Sequence, residues 1–599
     1  MNTAKTQHTF HIPVMGLSYT IDSPIKVAHL GISSVISIIE HNMIEKMREH
    51  YSKMFNFPFE PITPKTEDFR AERVTSYLDL VNDIVKMKFD KLKQSFIETR
   101  DELEKYFELL PSFSELKKHF EELIANNKSI QEIQRWLDEN LTLGSIDVNI
   151  MTKLDGANYN GNEKLPTEQN DAHVALRGYA NSSLESSIVL SAGMNPRLFS
   201  YMENFDDFYP DQNGNFKKKI IIKVSDYRSA FIQGKFFAKK GLWVSEYRVE
   251  SGLNCGGHAF ATDGYLLGPI LHEFNKNRKT LFETTYAIFK DALTKKGKIV
   301  PAVIPSTKLS AQGGVGTAEE HNFLLEEYNV DSVGWGSPFL LVPEATTVDE
   351  TTMRILSDAG EDDLYLSNAS PLGVPFNNVK KSTKDIERME LIKTGQPGSA
   401  CPKKILAFVT DYGDIPICTA SKKYIDIKLA ELKKENFSEA QYNREFSKIT
   451  EKECLCNGLA SSALLANNLN TLMEGEAVSV CPGPNMAYYS GKFSLLEMVQ
   501  HIYGKVNILN TSNRPHMFIK ELKMYVDYLK NKMDEAAFPF SDKQMKYFET
   551  FQTNLNDGIE YYKNLFAENK EALKENYEKL IDDLEAFEIQ LKGFVALSA

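Results

Sequence analysis

Two hydrophobic rhythms alternate along this chain. From Phe10 to Glu40 an apolar run ending at Met15-Gly16-Leu17, a polar turn and a second run from Val35 to Ile39 read as strand, loop, helix, strand. That order opens a βαβ unit. From Asn42 to about Asn140 the spacing changes, with Val81, Val85, Phe89, Leu92, Phe96, Leu103 and Phe107 recurring on one helical face. Short apolar runs then resume at Ile146–Met151, Ser187–Ala192, Lys219–Val224, Leu242–Val249, Val300–Ile304 and Val333–Leu341, separated by helix-length segments. With the two opening runs they total eight, the number that closes a (β/α)8 barrel. After Lys380 the strand signal fades, and helical spacing returns at Ile519, Leu522, Val526, Leu529 and Met533 and again at Leu573, Tyr577, Leu580, Leu584, Phe587 and Leu591. The pattern predicts an α/β fold, a (β/α)8 TIM barrel with a large helical insertion and a mainly helical C-terminal extension. The expected divisions are 1–41 for the barrel start, 42–144 for the insertion, 145–380 for the rest of the barrel and 381–599 for the extension.

Composition narrows the partners. At 599 residues the chain exceeds what one core usually organises, and 82 acidic against 69 basic side chains leave a net charge of −13. That balance opposes broad contact with nucleic acid. A polar segment from Met1 to His11 and the lack of any long apolar run point away from a membrane and to a cytoplasmic location. Six cysteines are too few for a secreted disulfide framework.

Three stretches carry chemistry. Val249-Glu250-Ser251-Gly252-Leu253-Asn254-Cys255-Gly256-Gly257-His258 follows a predicted strand, at the end of a barrel that faces an active site. Paired glycines let backbone approach a flat ligand, and a histidine after them can hold or release a proton; alone, the same letters also describe a turn with a surface histidine. Gln312-Gly313-Gly314-Val315-Gly316-Thr317 and Val333-Gly334-Trp335-Gly336-Ser337-Pro338-Phe339 end the last two predicted strands. Exposed amides after strands seven and eight are where such barrels hold phosphate.

In this order, with Pro13-Val14-Met15-Gly16, Asp147-Val148-Asn149 and Gly373-Val374-Pro375-Phe376-Asn377-Asn378, the chain resembles the nitronate monooxygenase and flavin-dependent enoyl-acyl-carrier-protein reductase family, over roughly residues 10–40 and 145–380. The resemblance implies bound flavin mononucleotide (FMN). Gly16, Leu17 and Asn149 would line its ring, and Gly256 and Gly257 would pass close to it. Gly313, Gly314, Gly336 and Ser337 would hold the phosphate, with His258 as catalytic acid or base. Departures bear on the substrate: Cys255 replaces an alanine, and Pro338 and Val374 replace arginines. Lys223, on a predicted strand, is either a neighbour of the flavin or a salt-bridged surface lysine.

Five cysteines, Cys401, Cys418, Cys454, Cys456 and Cys481, cluster beyond the barrel. Buried reduced thiols account for them, while an iron–sulfur cluster is the second reading, although the spacings match no common ferredoxin pattern. The function expected is an FMN-dependent oxidoreductase acting on a small or acyl-type organic substrate, resembling the monooxygenases. The alternatives are an enoyl reductase taking electrons from NADH or NADPH, and a non-catalytic barrel scaffold for a protein partner. The helical additions are expected to pack on the barrel, to form a lid, or to join copies in a homo-oligomer.

Overall fold

In the computed structural model, which describes residues 7–98, 101–191, 193–254, 263–511, 513–536, 539–573 and 576–598, eight parallel strands form a closed barrel. They are β1 Phe10–Ile12, β2 Ser33–Ser37, β3 Ile146–Ile150, β4 Ser186–Leu190, β5 Lys218–Val224, β6 Val244–Glu250, β7 Lys308–Gln312 and β8 Ser332–Gly334. Each pairs with the next, and β1 closes the ring on β8 through Phe10 and Val333. The TIM-barrel expectation therefore holds.

Two strand positions differ from the sequence reading. The seventh strand is Lys308–Gln312, not the run from Val300 to Ile304. Pro301 within that run and Pro305 after it cannot donate to a ladder, and Val303 and Ile304 are exposed. The polar Lys308-Leu309-Ser310-Ala311-Gln312 takes the place because alternate residues enter the barrel. The eighth strand stops at Gly334, and Ser337–Leu341 winds into a tight helical turn instead of extending it.

Strand register assigns the interior. Val35 pairs with Asp147, Asn149 with Val189, Val189 with Ile221, and Ile221 with Glu246. Because paired residues share a face, all point the same way. Val14, Val35, Val189 and Ile221 form a small apolar group separate from the main core, the filling of the barrel. Charges also lie inside. Arg248 holds Glu246 at 2.8 Å, Ser310 donates to the same carboxylate at 2.5 Å, and His11 bonds Ser332 at 2.9 Å. Burial alone would raise Glu246, but Arg248 holds its carboxyl down at about 2. Burial lowers His11 to about 3, so its ring is neutral.

The described residues between β2 and β3 form five helices, α1 His41–Met54, α2 Phe69–Glu98, α3 Asp101–Leu109, α4 Glu115–Ala125 and α5 Ile130–Asn140, and none of them joins the barrel sheet. Helix α2 lies against the helix Asp171–Asn181 that follows β3. A methyl group at Gly178 would meet the Ala71 carbonyl at 2.7 Å and Val74 at 2.7 Å, so glycine permits the close crossing. Beyond β8 come an antiparallel hairpin, β9 Leu364–Ser367 with β10 Phe376–Val379, and a helical region that includes α6 Leu455–Ala466, α7 Met517–Glu535 and α8 Asp542–Glu568. Among the described residues no helix is long and apolar enough to cross a membrane.

Candidate active site

Chain segments leaving the C-terminal ends of β1, β2 and β3 enclose a cavity of about 70 Å³. Its floor is Val14, Gly16, Leu17, Ser37, Ile39, Asn149, Met151 and Leu154, and its roof is Phe376, Ile405, Leu406, Leu455, Cys456, Leu459 and Cys481. Gly16 has φ +55°, and a Cβ there would press on the Tyr19 ring at 2.9 Å, so this turn needs glycine. Asn149 is buried and its Oδ1 has no hydrogen-bond partner among the described residues. An orphaned amide oxygen in an apolar cavity costs free energy unless a donor reaches it.

Next to it, a polar network joins the ends of β5, β6 and β7. Lys223 Nζ lies 2.8 Å from Glu250, and Gln312 donates to Glu250 at 2.7 Å and to Asn254 at 3.2 Å. Asn254 also donates to Glu250. The lysine is thus salt-bridged and buried at the barrel mouth, not on the surface. The Gln312 side chain also hydrogen-bonds the His11 ring inside the barrel.

The sequence-derived residues fall into three groups. Gly16, Leu17 and Asn149 come together around the cavity. Gly313 and Gly314 turn at φ +107° and +86° after β7, where added Cβ atoms would strike Asn254 N at 2.9 Å and Leu253 at 2.8 Å. These glycines let the β7 turn seat on the β6 turn. Gly336 and Ser337 follow β8 at the neighbouring position, and Ser337 Oγ accepts a hydrogen bond from Gly483 N at 2.8 Å. Gly256, Gly257 and His258 lie outside the described residues.

The flanks of that last segment are well defined. Ser251 donates to Glu521 of α7 at 2.7 Å, and Leu267 N donates to the other oxygen at 2.8 Å. Burial raises the Glu521 carboxyl to about 7. A Cβ at Gly252 would meet Met524 at 2.4 Å, and Gly268 N donates to Tyr562 of α8 at 3.1 Å. The C-terminal helices therefore hold both ends of the chain that leaves β6.

The roof is what sequence reasoning missed. Lys403, 1% exposed, sits 3.1 Å from both Glu40 and Glu474. Glu40 follows β2 and caps α1, while Lys46 of α1 reaches Glu474 at 2.7 Å. Two carboxylates and two lysines thus bind the roof to the mouth. Helix α6 is buried around most of its circumference from Leu455 to Leu464, and its unbroken apolar and small residues were the available signal.

Cysteine clustering has the same origin. All five described cysteines are buried and none is in a disulfide among the described residues, and no group of three or more described His, Cys, Asp or Glu side chains is arranged to hold a metal. The iron–sulfur reading therefore falls among these residues. Cys454 is the N-cap residue of α6 and Cys456 lies in its first turn. Cys456 and Cys481 line the roof.

No protein-family model matches the chain, and no curated protein sequence matches it. Among solved structures it is similar to the enoyl reductase domain of MlnA from the macrolactin biosynthesis cluster of Bacillus amyloliquefaciens, with 15% identity over 70% of this chain and 88% of that one and a TM-score of 0.32. FabK from Thermotoga maritima gives 11%, 67%, 83% and 0.30 for the same quantities. Nitroalkane oxidase from Streptomyces ansochromogenes gives 8%, 83%, 96% and 0.33. The barrel rests on the strand pairing described above and not on these likenesses.

Proposed function

We propose that this protein is an FMN-dependent oxidoreductase whose flavin lies across the C-terminal mouth of the barrel. The observation that carries the proposal is the convergence of Gly16 and Leu17 with Asn149, more than a hundred residues further along the chain, on one apolar cavity with an amide oxygen unpartnered among the described residues. A planar aromatic ring with N–H groups on its edge suits such a lining. At about 70 Å³ the cavity admits an edge of that ring, so full seating requires the roof at Ile405, Leu406 and Leu455–Leu459 to sit further out. Gly313, Gly314, Gly336 and Ser337 would hold the phosphate. When bound, FMN supplies acceptance and return of an electron pair.

The chain's own part is to orient and to move protons. Lys223 and Glu250 place a paired charge at the mouth. His258 is the proposed acid or base toward the substrate. In a monooxygenase-like reaction it removes a carbon-bound proton from a small organic substrate. The apolar roof favours a second reading, reduction of an acyl-type substrate with NADH or NADPH as donor, in which the same histidine returns a proton.

The test begins with the absorption spectrum of the purified full-length protein and mass analysis of what denaturation releases. Released FMN supports the proposal, and a colourless protein that takes up no added FMN overturns it. Gly314→Val should lower flavin occupancy by obstructing the turn. His258→Ala should keep flavin and reduce turnover about 10²- to 10⁴-fold. Anaerobic titration with NADPH, then with a nitronate and oxygen, separates the two reactions.

A further inference from the structure

Carbonyls of three successive residues in the turn after β7 are held by side chains from the C-terminal region. Asn485 Nδ2 donates to Gly314 O and Val315 O, each at 2.7 Å. Arg514 Nη2 donates to Gly314 O at 2.7 Å and to Asn485 Oδ1 at 3.1 Å, while its Nε reaches the same oxygen at 3.2 Å. Tyr489 donates to Gly316 O at 3.0 Å, and His501 Nε2 bonds that oxygen at 3.0 Å. The guanidinium lies flat on the turn, because a Cβ at Gly316 would meet it at 2.7 Å.

Its charge is already matched. Arg514 Nη1 donates to Glu320 at 2.7 Å, and that carboxylate also accepts from Gly316 N at 2.9 Å and Met517 N at 2.7 Å. Both side chains are 3% exposed. Arg514 therefore has no free charge to offer a ligand, and its effect is geometric. In a planar trans peptide the N–H points opposite to the C=O. Fixing the carbonyls of Gly314 and Gly316 toward the clasp turns the N–H groups of Val315 and Thr317 away from it.

On the proposal that the β7 and β8 turns hold a flavin phosphate, we infer that Arg514 and Asn485 are positioning residues for that phosphate: the C-terminal region sets the amide geometry of the β7 turn. The barrel motifs lack the arginines at Pro338 and Val374, and this arginine arrives instead from the other end of the chain, shaping the turn without touching the phosphate.

Comparison of FMN with riboflavin, which lacks only the phosphate, isolates the effect. The full-length chain stripped of flavin is titrated with each by fluorescence quenching. Wild type should bind FMN at least about tenfold more tightly, as expected for charge-assisted hydrogen bonds to a phosphate. Arg514→Lys and Asn485→Ala should weaken FMN about tenfold and riboflavin less than about twofold, collapsing the ratio. Variants that weaken both ligands equally, or neither, overturn the inference, because general loosening cannot sense the phosphate. Asn485→Ala keeps the buried Arg514–Glu320 pair and decides the matter if Arg514→Lys does not fold. A wild-type chain that binds no flavin, or binds both equally, overturns the phosphate assignment on which the inference rests.

Discussion

The insertion between β2 and β3 and the region beyond β8 are both helical, yet they meet the barrel in different ways. The insertion lies on the barrel's flank, where Val74, Tyr77, Leu78, Val81 and Val85 of α2 are buried and Arg70 pairs with Asp171 and Asp68 with Arg177. Within the insertion Phe107 stacks on Phe120 with ring centroids 4.0 Å apart. The later region adds charge and hydrogen bonds at the mouth, through Lys403, Glu474, Asn485, Arg514 and Glu521. Apolar contact is tolerant of small shifts, whereas a buried ion pair or a held carbonyl specifies direction as well as proximity. The first addition thickens the scaffold, and the second defines the site.

The largest expected effect tests the second half of that contrast. Lys403→Ala leaves the Glu40 and Glu474 carboxylates buried without their shared cation, and removing one partner of such a pair costs about 3–5 kcal/mol. Urea unfolding should show that loss together with reduced flavin uptake; an unchanged midpoint would break the contrast. Phe107→Ala should cost about 3 kcal/mol through the cavity it leaves, with flavin affinity per folded molecule unchanged. Loss of flavin binding there would make the insertion part of the site.

A smaller effect concerns pH. The Glu521 carboxyl is raised to about 7 by burial from an ordinary 4.5. A group held above its unfolded value adds stability in full below that value and loses it as pH rises through the folded value. Between pH 5 and about 7 the wild-type Tm should fall relative to that of Glu521→Gln. Parallel profiles would remove Glu521 from the account. Smallest of all, Ser129→Ala opens the exposed capping box that Ser129 and Glu132 form on α5, worth about 1 kcal/mol. Flavin binding should not respond.

Much of the barrel was legible because alternation of strand and helix survives a long insertion. The seventh strand was not, since its inward residues Lys308, Ser310 and Gln312 are polar and the apolar run just before it is exposed. Hydrophobicity marks burial, and here a buried strand carries charge into the barrel. At the site, Gly16, Leu17 and Asn149 were readable from local motifs, while Lys403, Asn485 and Arg514 lie in stretches with no motif of their own. Their partners on the barrel side, Glu40, Gly314 and Glu320, are about 170 to 360 residues away, and spacing in sequence holds no information on such pairs.

Closure of β1 on β8 also fixes an order of events during synthesis. Phe10 cannot find Val333 until the whole barrel has left the ribosome, and Arg514 follows Gly334 by about 180 residues. At about 5–20 residues per second, that gap lasts roughly 10–35 s. For that interval the nascent chain has every barrel strand but not Arg514, and its mouth is at its most open. On the proposed function, a cofactor that meets the growing chain has an easier entry than one that meets the finished protein, so flavin content should depend on supply during translation more than on supply afterwards.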